Sequence, residues 1–192
     1  MGIFAHIMLD KDKITSNAKK YYDSLKKYGI DNDQLISFLG VDFVQAPAST
    51  QTDYHFCYEG GLINYMLSTA AYATKINESL SENEKVNKES LIKVCLLFHI
   101  GKAHLYVPND SQWHKDKGIL YKFNQDLISM KPNERSVCYL NQYGVKLTEE
   151  ELGAILSFDK VNDPQSDYYN SMLGELLKMG SILAIKTSKL KK

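Results

Sequence analysis

Residues 90–106 (SLIKVCLLFHIGKAHLY) would be apolar around most of their circumference if wound as a helix. Such a helix has no face to offer water, so other elements must wrap it. The rest of the chain can supply them. It holds only four prolines in 192 residues, and its apolar residues recur at helical spacing over long segments. The pattern predicts an all-α protein.

Over 12–28, Ile14, Ala18, Tyr21, Tyr22, Leu25 and Tyr28 form one stripe, with Gly29 where a helix would stop. Residues 32–39 predict a short second helix ended by Gly40. Residues 41–60, with Pro47 and Gly60, read as an irregular stretch too long for an idle connection. The helical pattern resumes over 61–79, and Asn87 is placed to cap the central helix. Residues 106–123 carry Pro, Asn-Asp and Lys-Gly turn signals, and ILYKF leaves room for a short β-hairpin. A helix is predicted over 133–143. Thr148 and Glu151 match a capping box opening the next one. A last helix is predicted over about 168–187, and residues 187–192 read as a frayed basic tail. With no repeat and no composition break, 1–192 reads as one domain.

Lys plus Arg equals Asp plus Glu at 23 each, so total charge argues for neither nucleic acid nor a membrane surface. No apolar run approaches the roughly 20 residues of a membrane helix, and the N-terminus lacks the basic region of a signal peptide. Cys57, Cys95 and Cys138 are scattered, odd in number and without CxxC spacing. They read as reduced thiols of a cytoplasmic protein.

Four segments together carry a resemblance: APASTQTDYHFCYEGGLINYML, VCLLFHIGKA, KPNERSVCYLNQYGVKLTEEELGAILSFD and LLKMGSILAIKT. In order and spacing they resemble the HD phosphohydrolase superfamily, especially the compact members common in bacteriophage genomes. The resemblance covers about residues 44–187, with the two N-terminal helices of 1–43 outside it. It implies an HD-like helical bundle. In that family histidines and aspartates hold one or two divalent metals, which bind phosphate and activate a water.

The resemblance places the metal-binding positions on Tyr65, the pair Phe98-His99, Pro132, Phe158 and Ser181. Gly101-Lys102 fixes the register of the pair. A one-residue shift would make His99 the family histidine and Ile100 the lost aspartate. Phe, Pro and Ser supply no good metal donor, a phenol is a poor one, and one imidazole does not hold a catalytic metal. The resemblance therefore implies a fold kept after its metal site was replaced.

Other residues keep two readings. His99 is a core histidine of an apolar helix or a contact at the old site. His104, five residues on, would lie about 140° around that helix. His55 matches a histidine near the HD pocket, as a loop anchor or pocket wall. Lys102 matches a lysine that meets phosphate in the family, and is otherwise an ordinary helix lysine. Tyr54, Trp113 and Tyr121, on loops that rim the site in the family, could stack on a base or simply pack. His114, Asp110 and Asp116 suggest a second metal cluster or a solvated loop.

Three functional expectations follow. The first is an inactive HD-fold protein, phage-encoded and acting in the host cytoplasm. It would bind a nucleotide, a signalling nucleotide or a protein partner at the former pocket, using His55, Tyr54, Lys102, Trp113 and Tyr121, without cofactor. The second is a divergent phosphohydrolase with a rebuilt Mn, Ni, Zn or Mg site using His55, His99 and a nearby Asp. The third is an interaction or structural protein whose pocket is filled by Tyr65, Phe98 and Phe158 and whose function lies on its surface.

Overall fold

The computed structural model describes residues 9–160 and 170–190. The chain runs α1 (Lys11–Lys27), α2 (Asp33–Gln45), α3 (Gly61–Ser79), α4 (Lys88–Leu97), a 3-10 turn (Ile100–Lys102), β1 (Tyr106–Pro108), α5 (Gln112–Asp116), β2 (Tyr121–Phe123), α6 (Pro132–Gln142), α7 (Glu149–Leu156) and α8 (Met172–Leu190). The all-α expectation holds, with one two-stranded antiparallel hairpin where it was predicted.

Local chemistry sets most helix starts. Asp10, Asn32, Asn87 and Thr148 each accept a backbone N–H of the first turn with their side chains. Thr148 and Glu151 complete the capping box, each bonding the other's backbone. Glu151 is also buried against Lys93, at 2.8 Å. The first turn of α3 has no side-chain cap, and Gly60 enters it at φ 76°.

The centre of the bundle is α3. It packs most extensively on α8 and next on α4, with α1 and α2 also against it. α7 bridges α8, α6 and α4, and α6 lies on the 3-10 turn. The contact between α3 and α8 is close because Gly180 lets it be. A Cβ there would sit 2.7 Å from Thr69 O and 2.8 Å from Ala73 Cβ. Leu62, Ile63 and Met66 of α3 are fully buried with Leu91, Leu96 and Leu97 of α4, and Tyr21, Leu25, Leu35, Leu39 and Phe43 of α1 and α2. Burying each such side chain contributes about 1.5–3 kcal/mol. Tyr21, fully buried, donates its hydroxyl to Leu96 O at 2.7 Å.

Three boundaries differ from the sequence reading. Gly40 does not end α2: it kinks it at φ 55°, ψ −159°, and the helix continues to Gln45. The central helix does not reach residue 106. It stops at Leu97, His99 leaves helical geometry at φ −126°, ψ 18°, and a 3-10 turn follows. The cause is tertiary: Gly101 is pressed onto the start of α6, where a Cβ would lie 2.3 Å from Pro132 O. His99 and His104 are therefore not related by helical rotation, and His104 instead faces Asp42, Nδ1 to Oδ2 3.6 Å. The tail is not frayed from 187, since α8 runs to Leu190 and Lys189 Nζ donates to Asp53 O at 3.2 Å. Residues 168–169 of the predicted last helix, and 191–192, lie outside the described residues. No helix among the described residues is long and apolar enough to cross a membrane.

Candidate functional site

Five of the six positions that the resemblance equates with metal ligands meet in one cluster. Tyr65 projects from α3 and Ser181 from α8, and their hydroxyl oxygens lie 2.6 Å apart in a buried hydrogen bond. Phe98 and His99 follow directly on α4 and stack on each other, with centroids 4.1 Å apart and planes 22° from parallel. Phe158, just past α7, packs on both, at 4.8 Å from Phe98 and 5.1 Å from His99. Tyr65 closes the ring set at 5.6 Å from Phe98 and 5.8 Å from His99. Tyr65, Phe98, His99 and Ser181 are all buried, and Phe158 is half-buried.

The sixth position, Pro132, is the first residue of α6 and lies behind the cluster. Its carbonyl and that of Phe98 are each 2.9 Å from Ser136 Oγ, which has one proton to share between them and accepts from Gly101 N at 2.9 Å. This single hydroxyl fixes the break after α4, and with it the directions of Phe98 and His99.

The candidate ligand residues divide. His55 joins the cluster, its ring 4.9 Å from Tyr65. Lys102 is buried, and its ammonium donates to Ala48 O at 2.8 Å. Tyr54 and Trp113 point outward, 54% and 59% exposed. Trp113 is covered by Lys117 Nζ, 3.7 Å from the ring centroid. Tyr121 is half-buried on β2, and burial pushes its phenol up to about 12. Among the described residues, none of these last three makes a ring contact with the cluster. Asp110 is ion-paired with Lys122 and Asp116 accepts from Gln112, so both carboxylates of the imagined second metal cluster are engaged elsewhere.

The electrostatics of the cluster favour neutral groups. Burial, then Lys102 and Lys189, push His55 down to about 4. Burial, then Lys102 and His55, hold His99 well below the ordinary histidine value. Burial pulls Lys102 down to about 8, opposed by Asp159. Burial also drives the Tyr65 phenol far above its ordinary value, so it stays protonated and is no anionic donor. His55 Nε2 and His99 Nδ1 are buried without hydrogen-bond partners. Among the described residues no three His, Cys, Asp or Glu are grouped to hold a metal ion.

The rings of the cluster lie in contact with one another. Two depressions, of about 480 and 230 Å³, lie at Asp33, Ser37 and Tyr143 and at Phe123, Ile128 and Arg135. Neither is lined by a cluster residue. Phe56, one of the loop aromatics before Gly60-Gly61 that the sequence left between stacking and packing, packs: its ring lies 5.4 Å from Tyr65 on a backbone at φ 50°. Sequence reasoning missed Asp159, whose carboxyl burial raises. The only signal for Asp159 was adjacency to Phe158. It also missed Arg135, buried beneath the second depression, because nothing in a surface-looking Asn-Glu-Arg run marks the arginine as internal. Comparison of the chain with protein-family models, with curated proteins and with solved structures found no match.

Proposed function

We propose that this chain is an HD-like helical protein that has exchanged its metal centre for a packed ring cluster and works without catalysis, by binding a protein partner on its surface. The observation that carries this reading is the buried hydrogen bond between Tyr65 and Ser181. The resemblance puts a metal-binding histidine and aspartate at these two positions. Here the pair satisfy each other across the α3–α8 contact, and the flanking rings occupy the space between. Lys102, the family's phosphate contact, is turned to a backbone carbonyl.

A second reading has its own support. His55 Nε2 and His99 Nδ1 lack partners, and Lys102 lies near enough to lower both histidines. Buried polar atoms are usually paired, so a nucleotide or signalling nucleotide bound at the former pocket would meet real needs, at the cost of moving rings. Thermal unfolding with manganese and a panel of nucleoside triphosphates and cyclic dinucleotides, alongside phosphate-release assays, separates the readings. Surface action predicts no turnover and no concentration-dependent rise in Tm. A rise that disappears in Lys102→Met, with the variant still folded, would replace it with the nucleotide reading. Phosphate release would replace both with a divergent phosphohydrolase.

A further inference from the structure

Arg135 lies on α6 and is only 6% exposed, yet it has no ionic partner among the described residues. Among the described residues no carboxylate is within ion-pair distance of it. Its Nη2 donates to Ile128 O, and its buried Nε–H has no hydrogen-bond partner. A buried guanidinium cannot shed its proton, so burial without a counter-charge is costly. The neighbouring Glu134 points to solvent, and Asp126 is exposed in the loop above.

This arginine lines the depression of about 230 Å³, together with Leu105, Phe123, Leu127, Ile128 and Met130. The rim is mixed and open to water: Asn124, Gln125 and Ser129 share it with Phe123, 55% exposed, Ile128, 81%, and Met130, 37%. The floor therefore holds a cation with an unused donor, and the rim sets three exposed apolar side chains among the polar Asn124, Gln125 and Ser129. Such a volume is smaller than the roughly 300–1,000 Å³ of a typical small-molecule site. It suits one anchoring side chain, with neighbouring side chains of the same partner lying across the rim.

We infer that this depression docks a partner polypeptide through an Asp or Glu side chain flanked by apolar residues. The carboxylate takes the Nε–H and the charge of Arg135, and the flanking apolar groups cover Phe123, Ile128 and Met130. Charge complementarity selects an acidic anchor, and desolvation by the rim strengthens it. This deepens the surface reading above and rests on it.

The test is an NMR titration of the full chain, reading the Arg135 Nε–H resonance and the backbone amides of 123–130. The probes are acetyl-Leu-Glu-Leu-amide, its Leu-Gln-Leu counterpart and hexanoate. The expected result is a saturable shift with the glutamate peptide, at least about tenfold weaker with the glutamine peptide, the loss of one charge-assisted hydrogen bond. Arg135→Gln should abolish it. Because that variant leaves a buried gap, Ile128→Ser, on a largely exposed side chain, serves as the second: it should weaken the peptide while leaving the fold unchanged. Equal shifts with the glutamine peptide, or none with either, overturn the inference. Tighter binding of hexanoate than of the peptide also overturns it, in favour of a free carboxylic acid. Metal uptake or turnover at the ring cluster would defeat the surface reading without altering these shifts, so the two failures are distinguishable.

Discussion

His99 is where one side chain's environment has the clearest consequence. Stacked on Phe98 and edge-on to Phe158, with Nδ1 unpartnered, it is held neutral in the folded chain. His55, beside Tyr65, is pushed down to about 4 from an ordinary 6.5. In the unfolded chain both histidines take up protons below about 6.5. The unfolded state thus binds more protons than the folded one as pH falls from 6.5 toward 4, and stability must fall over that window. Lys102 acts with the same sign at the other end. It is lowered from 10.5 to about 8, so stability should rise with pH between those values. His99→Phe keeps a ring in the stack and removes the unpartnered nitrogen. Urea denaturation from pH 4 to 7 should show a shallower acid slope for this variant than for the parent. A steeper slope, or a variant that no longer unfolds cooperatively, would mean that His99 makes a needed polar contact.

The packing of α3 on α8 governs whether Tyr65 and Ser181 can meet, since they come from these two helices. Gly180 sits beside Ser181 and has no room for a methyl group: Thr69 O and Ala73 N, both backbone atoms, would be 2.7 and 2.9 Å from it. Gly180→Ala gains up to about 1 kcal/mol in helix propensity. Forcing the helices apart costs about 1–3 kcal/mol, and backbone atoms yield less than side chains. Chemical denaturation should therefore find the variant net destabilised. An alanine that stabilises would show that the helices can separate freely. The elements themselves were largely legible. The α3 boundaries, the Asn87 cap, the Thr148–Glu151 capping box and the hairpin all rest on local chemistry readable in the chain. The break after α4 was not legible. Residues 98–105 stay apolar at helical spacing, and what stops the helix is Ser136 and the α6 backbone pressing on Gly101, some 35 residues away in sequence. The site was half legible. The resemblance brought Tyr65, Phe98, His99, Phe158 and Ser181 to one list before the fold brought them together. It could not tell that Trp113 and Tyr54 face outward or that Lys102 is spent on Ala48 O.

At the scale of the whole molecule, the bundle closes around the rings of Tyr65, Phe98, His99 and Phe158. Phe98 and Tyr65, both fully buried, contribute hydrocarbon to the core, so apolar burial at the centre helps drive folding. The hairpin and the 124–130 loop face outward, with exposed Phe123, Ile128 and Met130 above the buried Arg135. The central claim is that the cluster holds no metal. Its most direct test is the metal content of the purified chain after incubation with manganese, nickel and zinc, followed by desalting. The account predicts under ~0.1 equivalent of each; retention near ~1 or ~2 equivalents, the occupancy of a working one- or two-metal centre, would contradict it.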